Sequence, residues 1–237
     1  MQGDRVAGSP GASEKVEDAG LWRKRYETFS RLYKGREDVI AEMQDGKYVP
    51  VTGAGLTFDR FMDHVQLRKT YAIYNMDPMQ RVSLGLFDVD VFPRNGGWAK
   101  ILPALEEKRR ETALIMKTLQ EMGLKQNNIL IEFPTVGFHI LLFFKNPLPA
   151  QALKTLMGNV LKRCNLTHIP FYPRKIEDSP YGDRMQLPLR INLNTAKRSN
   201  FVRDFNSFDP EHYDDRPDFS VLGDVVPIDP QWVAQWV

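Results

Sequence analysis

The chain has 237 residues, one large domain or two small ones, and at 42% apolar it can bury a core. A formal net charge of only +2 excludes bulk attraction to nucleic acid and leaves such binding to local clusters. The single cysteine, Cys164, excludes an intrachain disulfide and a cysteine-based zinc knuckle and suits a reducing cytoplasm. No apolar run nears the roughly 20 residues that span a bilayer, so no membrane partner is expected.

Gly, Ser, Pro and Ala dominate the chain up to Ser13, and residues 1–19 are expected to be a disordered tail. Trp22, Tyr26, Phe29 and Tyr33 then recur at helical spacing and predict a docked amphipathic helix. Gly35 suits its stop, and Glu37 and Asp38 suit the start of a second helix carrying Val39, Ile40 and Met43 inward. Asp45-Gly46 reads as a turn, and Tyr48-Val-Pro-Val51 as a short edge strand limited by Pro50. Thr57 suits the cap of a helix presenting Phe58, Phe61, Met62 and Val65. His64 on that helix reads as structural, because no second ligand stands at metal spacing nearby. Residues 69–75 read as a strand, and Asp77-Pro78 turns the chain back.

Residues 81–92 predict one strand with two acids near its end. Side chains alternate along a strand, so Asp88 and Asp90 share a face with Leu84 and Leu86, while Phe87, Val89 and Val91 take the other. Two adjacent carboxylates on an apolar strand repel each other and cost desolvation. A solvated strand end relieves this, and so does a hard cation such as Mg²⁺ or Mn²⁺.

Asn95-Gly-Gly97 breaks that strand, and a long helix is expected over residues 105–122, ending at Gly123. Residues 128–133 and 137–144 predict a β-hairpin through Pro134-Thr-Val136. His139, Leu141 and Phe143 share one face of its second strand, and Phe138, Ile140, Leu142 and Phe144 the other. A strand apolar on both faces is central, so His139 reads either as a core histidine or as a phosphate ligand beside the acids. Pro149 opens a helix with Leu153, Leu156, Met157, Val160 and Leu161 inward. Residues 168–173 read as extended, residues 185–190 as a strand, and residues 192–199 as a turn with adjacent cations. From Phe205 on, Asp, Pro and aromatic residues predict a segment that wraps the surface.

The order of these signals resembles the archaeo-eukaryotic primase superfamily, in its primase-polymerase branch of conflict systems, CRISPR-associated systems and mobile elements. The resemblance is carried by Leu32-Tyr-Lys-Gly-Arg-Glu-Asp-Val39, by Tyr71-Ala-Ile-Tyr74 with Leu86-Phe-Asp-Val-Asp90, by Gly137-Phe-His139, and by Leu187-Pro-Leu189 with Thr195 and Lys197-Arg-Ser199. It runs from about residue 30 to about residue 202. This chain departs from the pattern at Pro134, where relatives carry serine, and at Asn192, where many carry histidine. Ile176 stands where many carry the third acid, with Glu177 alongside; Asp178 and then Asp204 follow as candidates for that role.

The resemblance implies an α/β (α+β) fold: an N-terminal α/β module over residues 20–80, an RRM-like antiparallel catalytic module over 81–204, and a wrapping segment over 205–237. It implies a template-dependent nucleotidyltransferase, a DNA primase or primase-polymerase core, using Mg²⁺ or Mn²⁺ in a two-metal mechanism. Asp88, Asp90 and Glu177 would be catalytic, with Asp88 and Asp90 on metal. Gly137, His139, Arg190, Asn192, Lys197 and Arg198 would bind the nucleotide. The implied partners are nucleoside triphosphates, ribo or deoxy, and a single-stranded DNA template; a helicase or other replication or defence protein is left open. The departures motivate a rival, a degenerate primase fold that binds nucleotide or single strands without catalysis. A metal-dependent nuclease ranks third, because it has no need of a triphosphate-holding histidine.

Overall fold

A computed structural model of the chain describes residues 19–92, 97–176 and 181–237. The elements run α1 (Ala19–Leu32), β1 (Val39–Gln44), β2 (Lys47–Thr52), α2 (Phe58–Val65), β3 (Tyr71–Tyr74), β4 (Arg81–Asp90), α3 (Trp98–Glu121), β5 (Ile129–Phe133), β6 (Gly137–Pro149), α4 (Ala150–Arg163), β7 (Phe171–Tyr172), β8 (Arg184–Gln186), β9 (Asn200–Val202), α5 (Ser220–Gly223) and α6 (Pro230–Val233). They build a mixed α/β fold on two sheets, one ordered β2-β1-β3-β8 and one ordered β7-β4-β6-β5-β9. Every strand pair in both sheets is antiparallel.

Period-two alternation on the central strands divides the core into two layers. Phe87, Val89, Phe138, Ile140 and Leu142 join residues of α3 and α4 in one apolar cluster. Leu84, Leu86, Leu130, Leu141 and Phe143 face the other way, onto Phe29, Tyr33, Ile40, Phe61 and Ile73 of the N-terminal half. The five-stranded sheet is therefore a plate covered on both sides, which is why its strands read as continuous apolar runs. The last third of the chain packs on both layers: Phe205 and Val233 enter the first cluster, and Phe219 and Val221 the second.

Most elements fall where the spacing predicts them. Phe29 and Leu32 of α1 are buried, and Thr57 caps α2 by accepting from the Arg60 amide. Leu153, Leu156, Met157, Val160 and Leu161 of α4 are buried as the period requires. The helix expected from Glu37 through Met43 is instead strand β1, paired with β2 on one side and β3 on the other. The reason lies in the turn. Asp45 and Gly46 both have positive φ, 48° and 77°, and Gln44 pairs with Lys47. That is a two-residue hairpin turn whose twist suits its flanking strands. Helix α3 starts seven residues before the expected Leu105, with Pro103 inside its second turn, where it leaves the Ala99 carbonyl without an intrahelical donor. The tail expected over residues 1–19 lies, up to residue 18, outside the described residues. Strand β8, from the expected catalytic module, completes the sheet of the N-terminal half through its pairing with β3. No described helix is long and apolar enough to cross a membrane.

Candidate active site

Strand β4 leaves the apolar layer at its C-terminal end, and there the row begun by Leu84 and Leu86 continues as Asp88 and Asp90. Antiparallel pairing with β6 sets Asp88 opposite His139 and Asp90 opposite Gly137. Directly opposed residues share a face, so the imidazole and both acids lie on one side of the sheet. His139 Nε2 is 3.5 Å from Asp88 Oδ1 and 4.0 Å from Asp90 Oδ1. One ligand atom from each of the three residues falls within 4.8 Å of the others.

Gly137 has a packing reason to be glycine. A Cβ there would stand 2.2 Å from the Val89 carbonyl oxygen and 2.6 Å from Asp90 Cα and Oδ1. Only a bare backbone lets β6 run this close to the second acid.

Sequence reasoning passed over Glu132. It lies on β5 opposite His139 on the latter's other flank, is 3% exposed, and its Oε2 accepts from Nδ1 at 2.9 Å. The available signal was a single acid in the apolar run 129–133, which the tight hairpin brings level with the histidine. Burial pulls the His139 pKa down, but the charge of Glu132, the nearby Asp88 carboxylate, the hydrogen bond to Glu132 and the charge of Asp90 hold it well above the ordinary histidine value. Tyr33, from the end of α1, lies near the same carboxylate: burial, then the charge of Glu132, pushes its hydroxyl pKa well up.

His64 is the contrast. It is 1% exposed, with Nε2 at 2.7 Å from the Pro188 carbonyl and Nδ1 accepting from the Tyr71 amide. Burial lowers its pKa to about 4, so it is neutral and structural, as its isolation in the sequence suggests.

The loop after β8 braces the hairpin turn beside the site. Asn192 is 4% exposed and donates through Nδ2 to the Pro134 carbonyl at 2.9 Å. Thr195 and Thr135 share a buried hydroxyl contact of 2.6 Å. Lys197 places its ammonium 4.4 Å from the Trp98 ring centre, and Trp98 packs against Phe133 on the helix-covered face. Arg198 donates to the carbonyls of Leu189 and Val65. The expected cationic pair thus spends its charge on rings and backbone. The charge of Arg190 is felt at Tyr48 of β2 and at His64 of α2, where it favours the deprotonated forms. Glu177 and Asp178 lie outside the described residues. Asp204 is taken up locally, accepting from the Asn206 amide and the Ser207 hydroxyl.

The donor set fits a hard divalent cation. Three close carboxylates, Asp88, Asp90 and Glu132, face one imidazole, so even an imidazolium leaves an excess of negative charge. Closely set carboxylate oxygens match Mg²⁺ and Mn²⁺.

Two antiparallel sheets with an Asp-x-Asp strand facing a histidine on the next strand define a core of the archaeo-eukaryotic primase superfamily, the class the sequence motifs resemble. The family model described as "TOTE conflict system, Archaeo-Eukaryotic Primase domain" matches residues 24–235, and the chain belongs to that family. Among solved structures, the archaeo-eukaryotic primase domain of the cyanophage S-2L primase-polymerase is similar, at 16% identity and a TM-score of 0.43, covering 80% of this chain and 94% of that one. No curated protein matches.

Proposed function

We propose that this chain is the catalytic core of a template-dependent nucleotidyltransferase that joins ribo- or deoxyribonucleoside triphosphates on single-stranded DNA. The observation that carries this reading is the grouping of Asp88, Asp90 and His139 within 4.8 Å on one sheet face. Asp88 and Asp90 would hold Mg²⁺ or Mn²⁺, with Glu177 as the third carboxylate. When bound, a metal pair supplies charge neutralisation at the α-phosphate and stabilises the attacking and leaving oxygens. His139 donates through Nε2 to a β- or γ-phosphate oxygen. Asn192 acts on the nucleotide indirectly, by bonding the Pro134 carbonyl of the hairpin turn; Lys197 lends charge beside Trp98, Arg198 anchors its own loop through the Leu189 and Val65 carbonyls, and Arg190 supplies a cation from the neighbouring loop. The sheet, packed on both faces, keeps these groups at fixed separation, which is most of what phosphoryl chemistry asks of a protein. Functionally, residues 20–80 form the N-terminal module and 81–204 the catalytic one, with 205–237 wrapping both.

Primer synthesis on single-stranded DNA tests this, with NTPs or dNTPs and Mn²⁺. Wild type makes product, and the Asp88→Ala, Asp90→Ala double variant makes none. No wild-type product, or equal product from both, overturns the reading.

One observation favours a binding-only protein: among the described residues, the metal-capable cluster holds two carboxylates, while Glu132 is turned toward His139. In that case calorimetry records nucleotide binding that is indifferent to Mn²⁺.

A further inference from the structure

We propose that Glu132 is a positioning residue for His139, fixing the imidazole so that Nε2 faces the Asp88–Asp90 carboxylates and the phosphate end of a nucleotide bound there. This rests on the reading above of His139 as a phosphate-binding group.

His139 stands between two carboxylates supplied by its cross-strand neighbours, Asp88 on β4 and Glu132 on β5. The two contacts are unequal. Nδ1 to Glu132 Oε2, at 2.9 Å, is a full hydrogen bond; Nε2 to Asp88 Oδ1, at 3.5 Å, is longer than one. One ring nitrogen is therefore tied down and the other is held toward the acids. Rotation about the last side-chain bond of histidine is broad and roughly two-fold. With the Nδ1 bond in place, the flipped ring, which would carry Nε2 away from the acids, loses its acceptor.

Packing alone does not call for a carboxylate here. Glu132 sits beside Leu130 and Leu141 in a layer of leucines and aromatics. Replacing a buried ion pair with apolar residues of similar volume is often neutral or stabilising. The same fold also buries a histidine without any carboxylate: His64 is satisfied by one backbone carbonyl and one backbone amide. The Glu132 carboxylate thus goes beyond what burying a histidine requires, and it hydrogen-bonds the ring nitrogen remote from the acids.

The test is a double-mutant cycle on Mn²⁺-dependent nucleoside triphosphate binding, by calorimetry, using wild type, Glu132→Ala, His139→Ala and the double variant. Glu132→Gln keeps an acceptor for Nδ1 and serves as the conservative variant, and thermal melts confirm folding. Glu132→Ala should weaken binding about tenfold, the scale seen when an orienting partner of a functional histidine is removed. Glu132→Gln should recover most of that, and Glu132→Ala should add nothing in the His139→Ala background. Nucleotide binding by Glu132→Ala equal to wild type, or losses that multiply in the double variant, overturns the proposal. Wild type that binds no nucleotide overturns the functional reading instead. The imidazole nitrogen NMR spectrum then decides the pairing: a protected Nδ1–H signal of His139, lost in Glu132→Ala, upholds it, and the absence of that signal in wild type refutes it.

Discussion

Asp88 and His139 stand directly opposite each other on neighbouring antiparallel strands, with 3.5 Å between Oδ1 and Nε2. The pairing register produces this contact, because the strands fix which side chains oppose and the pleat fixes which face they share. Asp90 follows two residues on, against a glycine whose bare backbone lets β6 pass close to the second acid.

Asp88 and Asp90 crowd like charges together at the candidate site. Asp90→Asn should leave the metal-free protein as stable as wild type or about 1 kcal/mol more so, because a like-charge contact is removed. Mn²⁺ should raise the melting temperature of wild type, by the equivalent of about 2.7 kcal/mol at a hundred times Kd, and that of the variant far less. Differential scanning calorimetry with chelator and with Mn²⁺ reads both effects.

Gly137 should tolerate no side chain. A Cβ 2.2 Å from the Val89 carbonyl oxygen and 2.6 Å from Asp90 Cα forces the two central strands apart. Gly137→Ala is expected to cost about 2 kcal/mol or more and to lower nucleotide affinity with it, measured by urea unfolding and calorimetry.

Arg198 should behave as part of the fold. Its guanidinium donates to the Leu189 and Val65 carbonyls, and burial lowers its pKa. Arg198→Ala should cost about 2 kcal/mol in urea unfolding by leaving those carbonyls unmatched. Nucleotide Kd, measured on the folded fraction, should change little. A large affinity loss at unchanged stability would restore this arginine to the phosphate site.

His64 gives stability a pH dependence of known sign. Its folded pKa, about 4, lies below the unfolded value of about 6.5, so the unfolded chain binds the proton more readily between those values. Its contribution is therefore intact above about pH 6.5 and is lost as pH falls toward 4, by about 2 kcal/mol between pH 7 and pH 5. The unfolding free energy of wild type relative to His64→Gln, followed over that range, should show this fall. A flat difference would mean that the imidazole is protonated in the folded state.

Much of the site was legible because period-two alternation is unambiguous on a strand apolar on both faces. Alternation set Asp88 and Asp90 on the face of Leu84 and Leu86, and His139 on the face of Leu141 and Phe143; the strand register brings the two rows to one side of the sheet. Strand β1 was hidden because Glu37 and Asp38 imitate a helix start; the Asp45-Gly46 turn was the stronger signal, and cross-strand pairing to β3 outweighs local preference. Glu132 was hidden because its role depends on register, and register follows from the turn at Thr135, whose φ of 72° no composition rule announces. The adjacent cations Lys197 and Arg198 look like phosphate ligands in a linear string, and only packing shows the first against Trp98 and the second on backbone carbonyls.

Anomalous diffraction from crystals soaked with Mn²⁺ and a non-hydrolysable nucleoside triphosphate tests the central claim most directly. The account predicts a manganese peak between the Asp88 and Asp90 carboxylates and a β- or γ-phosphate oxygen within hydrogen-bond distance of His139 Nε2. Manganese absent from that pair, or a triphosphate bound away from His139, would contradict it.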